Sequence, residues 1–579
     1  MAAPSLSQVS PAFNVGKRPR WRLPAIRADQ LVFAITVILV LGIVVPPVVT
    51  LVQTSLLVGA GPGRAGTLSL QSYIDILRSR DFGPLVAATF EFALGACCVG
   101  IFLGGALAWI TERTNAPFKS LVYAASFVSF AVPGILRAVG WIFLLGPRTG
   151  TLNDAFRALA HTDRVLFDVF SLPAMIVIEG TFWIPVVFLL LSASFRSMDP
   201  SLEEAAIMSG SSVMQTLRRV TFRLVLPAIL SAMLLMFIRS IQAFEVPLVL
   251  GVPSKIYVMT TEVYISMQSR VIPEYSTPSA YGVLLFAFLL ACIWIYARST
   301  RSAGRFVTVT GKGFRPRQMD LGRGRWLAGL FILLVVVIQF LPVIELVAAS
   351  FLRSLGSMQL TFGNYTLVLT SPAIIQSLVN SFLIAAVSAT VVVVLASVVA
   401  WCMVRGRVPG RGLLDQLASL PLVFSGVVLG LAVLILYVRS PIPVYGTIWI
   451  LVIAYVTAFL PYGLRYAHPG LLQIAPELEE SGQMSGGQWL QVFRKIVVPL
   501  LIPALFAAWV FVFLISLREL SAAALLYTAQ SPVIATKMLD LWQNGNVNQV
   551  SAFGSIVAAI SITMAIAAYQ VVRRQGLRT

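Results

Sequence analysis

Pro200-Ser201-Leu202-Glu203-Glu204-Ala205-Ala206-Ile207-Met208-Ser209-Gly210 returns 276 residues later as Pro476-Glu477-Leu478-Glu479-Glu480-Ser481-Gly482-Gln483-Met484-Ser485-Gly486, with seven of eleven positions identical. The same separation pairs Pro185 with Pro461, Arg218-Arg219 with Arg494-Lys495, Pro227-Ala228 with Pro503-Ala504, and Ser240 with Ser516. Further upstream, Ala108-Trp109-x-x-x-Arg113 matches Ala400-Trp401-x-x-x-Arg405 at a separation of 292, so the first copy carries 16 extra residues, placed here in the loop 147–171. The chain is a tandem duplication. Each copy of the opening stretch is a short polar segment between long apolar runs, which reads as a handle offered twice to the same kind of partner.

The apolar fraction of 58% and charged fraction of 11% set this chain apart from soluble domains, in which roughly 25% of residues are charged. Mean hydropathy is +0.88. A helix needs about 20 apolar residues to cross the hydrocarbon core, and twelve runs qualify: 31–57, 86–110, 120–145, 172–195, 224–250, 280–297, 326–351, 377–404, 413–438, 446–464, 499–527 and 552–572. Their continuous apolarity excludes the period-two pattern of a barrel. The first run is longer than the 7 to 15 residues of a signal peptide core, so Val58-Gly59-Ala60 is not expected to be a cleavage site. The expected fold is an all-α integral membrane protein of about twelve helices in two six-helix repeats. An even number of spans per unit gives the repeats the same orientation, with a pathway between them.

Basic residues orient the chain. Placing the amino terminus in the cytoplasm leaves 28 Lys and Arg on that side against 11 on the other, the bias expected of a cytoplasmic face. Both termini and both handles then lie in the cytoplasm. The expected organisation is a basic amino-terminal segment (1–29), repeat 1 (30–298), a basic linker (299–325) and repeat 2 (326–579). The net charge of +19 is spread over short loops, which suits topogenesis and lipid contact rather than nucleic acid. Cys97, Cys98, Cys292 and Cys402 lie within apolar runs with no disulfide or zinc spacing. His161 and His468 have no ligand cluster around them, and no metal site is expected.

In the first handle Asp199 and Pro200 read as N-cap and N1 of a short helix, Glu203 and Glu204 sit in its early turns, Gly210 ends it, and Ser211 or Ser212 caps a second helix. At these residues the chain resembles the membrane subunits of binding-protein-dependent ABC importers, whose loop carries EAA-x3-G-x9-I-x-LP. Glu204-Ala205-Ala206-x3-Gly210-x9-Val220 supplies it once, with Phe222-Arg223 in place of Leu-Pro and Leu226-Pro227 four residues on. Glu480-Ser481-Gly482-x3-Gly486-x9-Ile496-x-Val498-Pro499 supplies it again. The resemblance implies a type I importer fold in the bacterial plasma (inner) membrane. It also implies coupling loops built on Glu203, Glu204, Ala205, Gly210, Glu479, Glu480 and Gly486 that dock into two separate ABC ATPase subunits, with Glu204 and Glu480 making the contact. ATP and Mg would be bound there, with no cofactor in this chain, and a periplasmic or extracellular substrate-binding protein would deliver cargo. Because the copies depart from the motif differently, their docking is expected to be unequal.

Met484-Ser485-Gly486-Gly487-Gln488 imitates the signature of the ATPases themselves, but no phosphate-cradling P-loop accompanies it: Gly16-Lys17 and Gly311-Lys312 are followed by Arg18 and Gly313. The chain is not expected to be an enzyme. A secondary transporter of the major facilitator pattern is the rival class. Its Gly-x3-Asp-Arg-x-Gly-Arg motif is missing where the loop reads Thr111-Glu112-Arg113-Thr114-Asn115-Ala116-Pro117.

The fusion of both halves, together with Ala243-Phe244-Glu245-Val246-Pro247-Leu248 and Arg518-Glu519-Leu520-Ser521-Ala522-Ala523, resembles the ferric-iron permease branch. Fused thiamine, aminoethylphosphonate and polyamine permeases share the architecture. Charges inside spans are costly and usually face an interior or cavity. Glu91, Arg137, Glu179, Arg239, Glu245, Glu345, Arg518 and Glu519 are such charges, and Arg137, Arg239, Glu245, Arg518 and Glu519 are the candidates for lining the pathway.

Overall fold

A computed structural model describes residues 28–59, 66–199, 201–268, 274–303, 318–353, 359–406 and 410–576. Pro200 and most of the linker, 304–317, lie outside them. Repeat 1 forms α1 (Ala28–Ser55), α2 (Phe82–Arg113), α3 (Lys119–Ala131), α4 (Gly134–Leu145), α5 (Thr151–Ala160), α6 (Leu172–Ser197), α7 (Ser201–Met208), α8 (Phe222–Ile241) and α9 (Ser276–Ala303). Repeat 2 forms α10 (Gly324–Ser350), α11 (Pro372–Val404), α12 (Arg411–Ser419), α13 (Gly426–Val438), α14 (Ile448–Leu472), α15 (Pro476–Met484), α16 (Val498–Leu517) and α17 (Val547–Gly576).

Ten of the twelve apolar runs contain one helix long enough to cross a membrane, and the other two are broken: α3 and α4 meet at 109°, and the segment 411–423 meets α13 at 105°. The first break has a local cause. Pro133 keeps the preceding Val132 extended, at φ −75° and ψ 126°, and then opens α4. At the second break Phe424 is extended, and Ser425 caps α13 by accepting from the Val428 amide at 3.3 Å.

Helix direction shows that each broken pair still completes a crossing. Along α2, Gly95 faces Ile176, Gly100 faces Trp183 and Gly104 faces Val187 on α6, so the two helices run parallel. A Cβ at Gly104 would come within 2.9 Å of the Ile184 carbonyl, and the close approach is what these glycines permit. Parallel neighbours require the chain between them to return across the membrane, and α3–α4 is that return. In repeat 2, α11 and α14 pack in the same way, with Gly463 against Val392 and Ala396 and Arg405 against the Ile474 carbonyl, and the pair α12–α13 returns.

The first helix of each repeat packs on the other repeat. Val40 and Val44 of α1 are buried among Val399, Trp401, Leu464 and Leu471 of repeat 2, while Ile332 and Val335 of α10 are buried among Leu107, Val187 and Phe195 of repeat 1. A third apolar cluster spans both repeats. The linker end is also stitched to repeat 1: Met319 donates to the Arg113 carbonyl at 2.8 Å, and Asn115 bonds Asp320 at 2.6 Å.

Two expected spans end early. The run 224–250 stops being a membrane helix at Ile241, and 499–527 stops at Leu517. The remaining apolar residues, such as Val246, Val249, Leu250 and Leu520, are buried inside the protein, and apolarity by itself does not distinguish protein interior from lipid. The 16 extra residues of the first copy are ordered around α5. Asn153 there is fully buried, donates to the carbonyls of Leu145, Gly146 and Phe167, and accepts from the amides of Leu166 and Phe167.

Candidate functional site

Each handle is a short helix, a glycine bend and a second short helix. Asp199 accepts from the Ser201 amide at 2.9 Å, which together with the Ser201 hydroxyl holds its carboxyl below the usual range. Gly210 and Gly486 have φ of +86° and +84° with open space around the missing Cβ, so glycine is required there by backbone conformation and not by crowding. After the first bend Ser212 and Gln215 form a reciprocal capping box. A π-helical turn follows in both copies, Leu217–Thr221 and Phe493–Val497, at equivalent positions of the duplication. The signature-like Ser485-Gly486-Gly487-Gln488 is this bend. A Cβ at Gly482 would meet Ile496 at 2.7 Å, so its glycine lets α15 press onto that turn.

The adjacent glutamates of each handle part ways. Glu204 and Glu480 are exposed, as are Ala205, Gly210 and Gly486. Glu203 is buried, pairs with Arg113 at the end of α2 and accepts from the Thr221 hydroxyl. Glu479 pairs with Arg405 at the end of α11 at 2.7 Å. Arg113 and Arg405 are the arginines of the duplicated Ala-Trp-x-x-x-Arg motif, which therefore bolts each handle to the longest helix of its repeat.

The handle in each repeat joins two helices that reach a cavity between the halves: α6 and α8 in one, and in the other α14 and α16, which ends at Leu517 just before Arg518 in the wall. The cavity has a volume of about 260 Å³. All five pathway candidates, Arg137, Arg239, Glu245, Arg518 and Glu519, line it, together with Glu179. Of the remaining intramembrane charges, Glu91 is exposed on α2 and Glu345 lies on α10 outside the cavity. Many wall positions come as repeat equivalents: Gly134 with Gly426, Trp183 with Phe459, Val186 with Tyr462, Gln242 with Arg518 and Ala243 with Glu519. The backbone is thus pseudo-two-fold, and its charge is not. Glu179 and Arg239 lie 18 and 17 residues along their helices from the handle ends, about 26 Å at helical rise.

A family model described as "Binding-protein-dependent transport system inner membrane component" matches residues 99–302 and again 392–576, and each match contains one handle and one wall of the cavity. The chain belongs to this family. It is therefore a multi-pass inner-membrane transport component of duplicated form. Among its relatives, "Ferric transport system permease protein FbpB" of Actinobacillus pleuropneumoniae is 30% identical over 398 residues, 66% of this chain, and the chain spans 56% of that protein's length. "Fe(3+)-transport system permease protein FbpB 2" of Haemophilus influenzae is 25% identical over 497 residues, covering 84% of this chain and 89% of the relative. "Spermidine/putrescine transport system permease protein PotC" of Escherichia coli aligns over 253 residues at 23% identity, 95% of its own length and 43% of this chain. A relative whose length fits within one half is what a duplicated family member predicts.

Sequence reasoning missed several contributors to both sites. Arg113 and Arg405 were legible as a repeat marker without a role. Gln242, whose amide donates to the Leu422 carbonyl across the halves at 3.0 Å, carried no signal beyond being polar in an apolar run. Phe182 and Tyr462, which lie beneath Arg137 and Arg239, are indistinguishable in sequence from lipid-facing aromatics. Among the described residues no group of three His, Cys, Asp or Glu is placed to hold a metal ion.

Proposed function

We propose that this chain forms the translocation pathway of an importer whose energy comes from two separate ATPase subunits, one on each handle, and whose cargo is ferric iron delivered by an external binding protein. The observation that carries the coupling is the position of each handle, bolted by an arginine–glutamate pair and placed directly between the two helices of its repeat that reach the cavity. Rigid-body movement of the handle then moves both walls together. The ferric relatives support the cargo, and they align over 66% and 84% of this chain. Polyamine import is the second reading, favoured by the relative of single-repeat length and by the three carboxylates in the cavity.

Cargo is tested by uptake of labelled iron in a deletion strain with and without this gene, with spermidine, thiamine and aminoethylphosphonate in parallel. Iron uptake is expected to depend on the gene. Unchanged iron uptake with loss of one organic substrate overturns iron and leaves the importer.

Handles, linker and both termini lie on the cytoplasmic side in this reading, which the distribution of basic residues supports. In a background lacking the four native cysteines, a cysteine at Thr162 should react with an impermeant thiol reagent in intact cells. One at Ser302 should react only after permeabilisation. Reaction of Ser302→Cys from outside overturns the orientation.

A further inference from the structure

The cavity between the halves is lined by three arginines and three glutamates, and the two sets are not equally committed. Glu519 accepts from the Ala522 amide at 3.0 Å, and a Cβ at Gly426 would lie 2.9 Å from its Oε1. Glu245 is seated in the same way against Gly134, whose Cβ would overlap its Oε2. Gly134 and Gly426 are equivalent in the duplication, and they open the half-helices α4 and α13. Both carboxylates therefore rest at helix amino-terminal ends, where the dipole and free amides offset negative charge.

Two of the arginines are held less closely: Glu245 and Glu179 act on Arg137 only through space. Arg137 is only 7% exposed. Its Nη1 reaches Ser129 Oγ at 3.4 Å, its Nε has no partner, and its guanidinium lies 3.6 Å from the centre of the Phe182 ring. Arg239 bonds Gln242 at 3.0 Å and lies 5.6 Å from the centre of the Tyr462 ring on the opposite half. Neither forms an ion pair among the described residues.

We infer that this cavity is an oxyanion subsite, in which Arg137 and Arg239 hold carboxylate or phosphate oxygens of an anion that crosses together with the ferric ion. The cargo is then a ferric–oxyanion complex and not the bare ion; this deepens the iron reading and rests on it. A bare trivalent cation beside these guanidiniums meets like charge in a poorly screened site, while Glu245 and Glu519 rest at helix ends and only Glu179, within α6, faces the cavity without one. An oxygen-rich ligand shell reverses the sign of that interaction. Guanidinium forks match carboxylate and phosphate oxygens two at a time, and the aromatic ring beneath each one favours its charged form on one side. With no cluster of metal ligands among the described residues, the ion's coordination sphere has to travel with it.

The test uses the purified assembly of this chain and its ATPase subunits in proteoliposomes, supplied with the iron-loaded binding protein. Two labels are followed, radioactive iron and radioactive citrate or inorganic phosphate as the accompanying anion. Iron and one anion label should enter in fixed ratio, and the arm that enters identifies the oxyanion. Arg137→Gln and Arg239→Gln, inserted at parental level, should each lower entry of both labels on the order of tenfold. Arg137→Lys, which keeps the charge and loses the fork, should fall between. Iron entering with neither anion label, or entering at the parental rate in both glutamine variants, overturns the inference. If Arg137→Gln fails to insert, equilibrium binding of labelled citrate and inorganic phosphate to the iron-free assembly decides, with Arg137→Lys expected to weaken it. No binding of either anion, or binding untouched by Arg137→Lys, again overturns it. A parental assembly that takes up no iron refutes the cargo, and the anion-binding measurement still judges the subsite.

Discussion

Glu203→Ala is expected to cost about 3–5 kcal/mol of local stability and to abolish coupling through the first handle, whereas Glu479→Ala should cost distinctly less. The two anchors share a sequence motif and differ in surroundings. The Arg113 and Glu203 side chains are 1% and 3% exposed, and Arg113 Nε and Nη1 have no other partner, so removing the carboxylate strands a buried cation. Arg405 and Glu479 are 17% and 12% exposed, and Arg405 also donates to the Ile474 carbonyl at 2.6 Å, which would keep it partly satisfied. The measurement is thermal stability of the purified chain together with ATPase activity of the assembled transporter. Arg113→Met combined with Glu203→Met should recover much of the stability, because a matched apolar pair leaves no charge behind. Equal losses for Glu203→Ala and Glu479→Ala would show that burial does not set the strength of these anchors.

Reversing the exposed carboxylates should act on docking and leave folding intact. Glu204→Lys and Glu480→Lys are each expected to insert normally and to weaken ATPase association at least roughly tenfold, since a basic groove would then face a cation. The two should differ in size, because one handle presents Ala205 and Ala206 where the other presents Ser481 and Gly482. Gly486→Val tests the bend. No atom lies within 4 Å of the point a Cβ would occupy there, so the cost is the left-handed backbone alone, about 1–2 kcal/mol, and Gly486→Asn should be milder because asparagine tolerates that conformation. Co-purification of both lysine variants with the ATPase and uptake at the parental rate would rule out the coupling role.

The duplication, the twelve crossings and the site of the handles were legible because each is written in local sequence. A span is about twenty consecutive apolar residues, a handle is a polar break carrying capping residues and a glycine, and a repeat is the same text twice. The five charges named as pathway candidates line one cavity, and Glu179, not named among them, lines it too; charge within an apolar run has few tolerable places to go. The run 120–145 looks like its neighbours in composition and breaks at Pro133 for a local reason, while 224–250 leaves its helix at Ile241 because burial in protein and burial in lipid select the same residue types.

Partners distant in sequence decided the rest. Nothing within Leu202-Glu203-Glu204 says that the first glutamate is an anchor and the second a free surface charge; Arg113, ninety residues upstream, makes that distinction. Glu245 and Glu519 occupy inequivalent positions of the repeat and still converge on equivalent glycines. The α1 and α10 helices pack on each other's repeats although each belongs by sequence to its own. Composition and repetition fix what kind of segment each stretch becomes, since those preferences act over a few turns of chain. Which carboxylate is satisfied, and which arginine is left facing the cavity, depends on contacts closed only when both halves have packed.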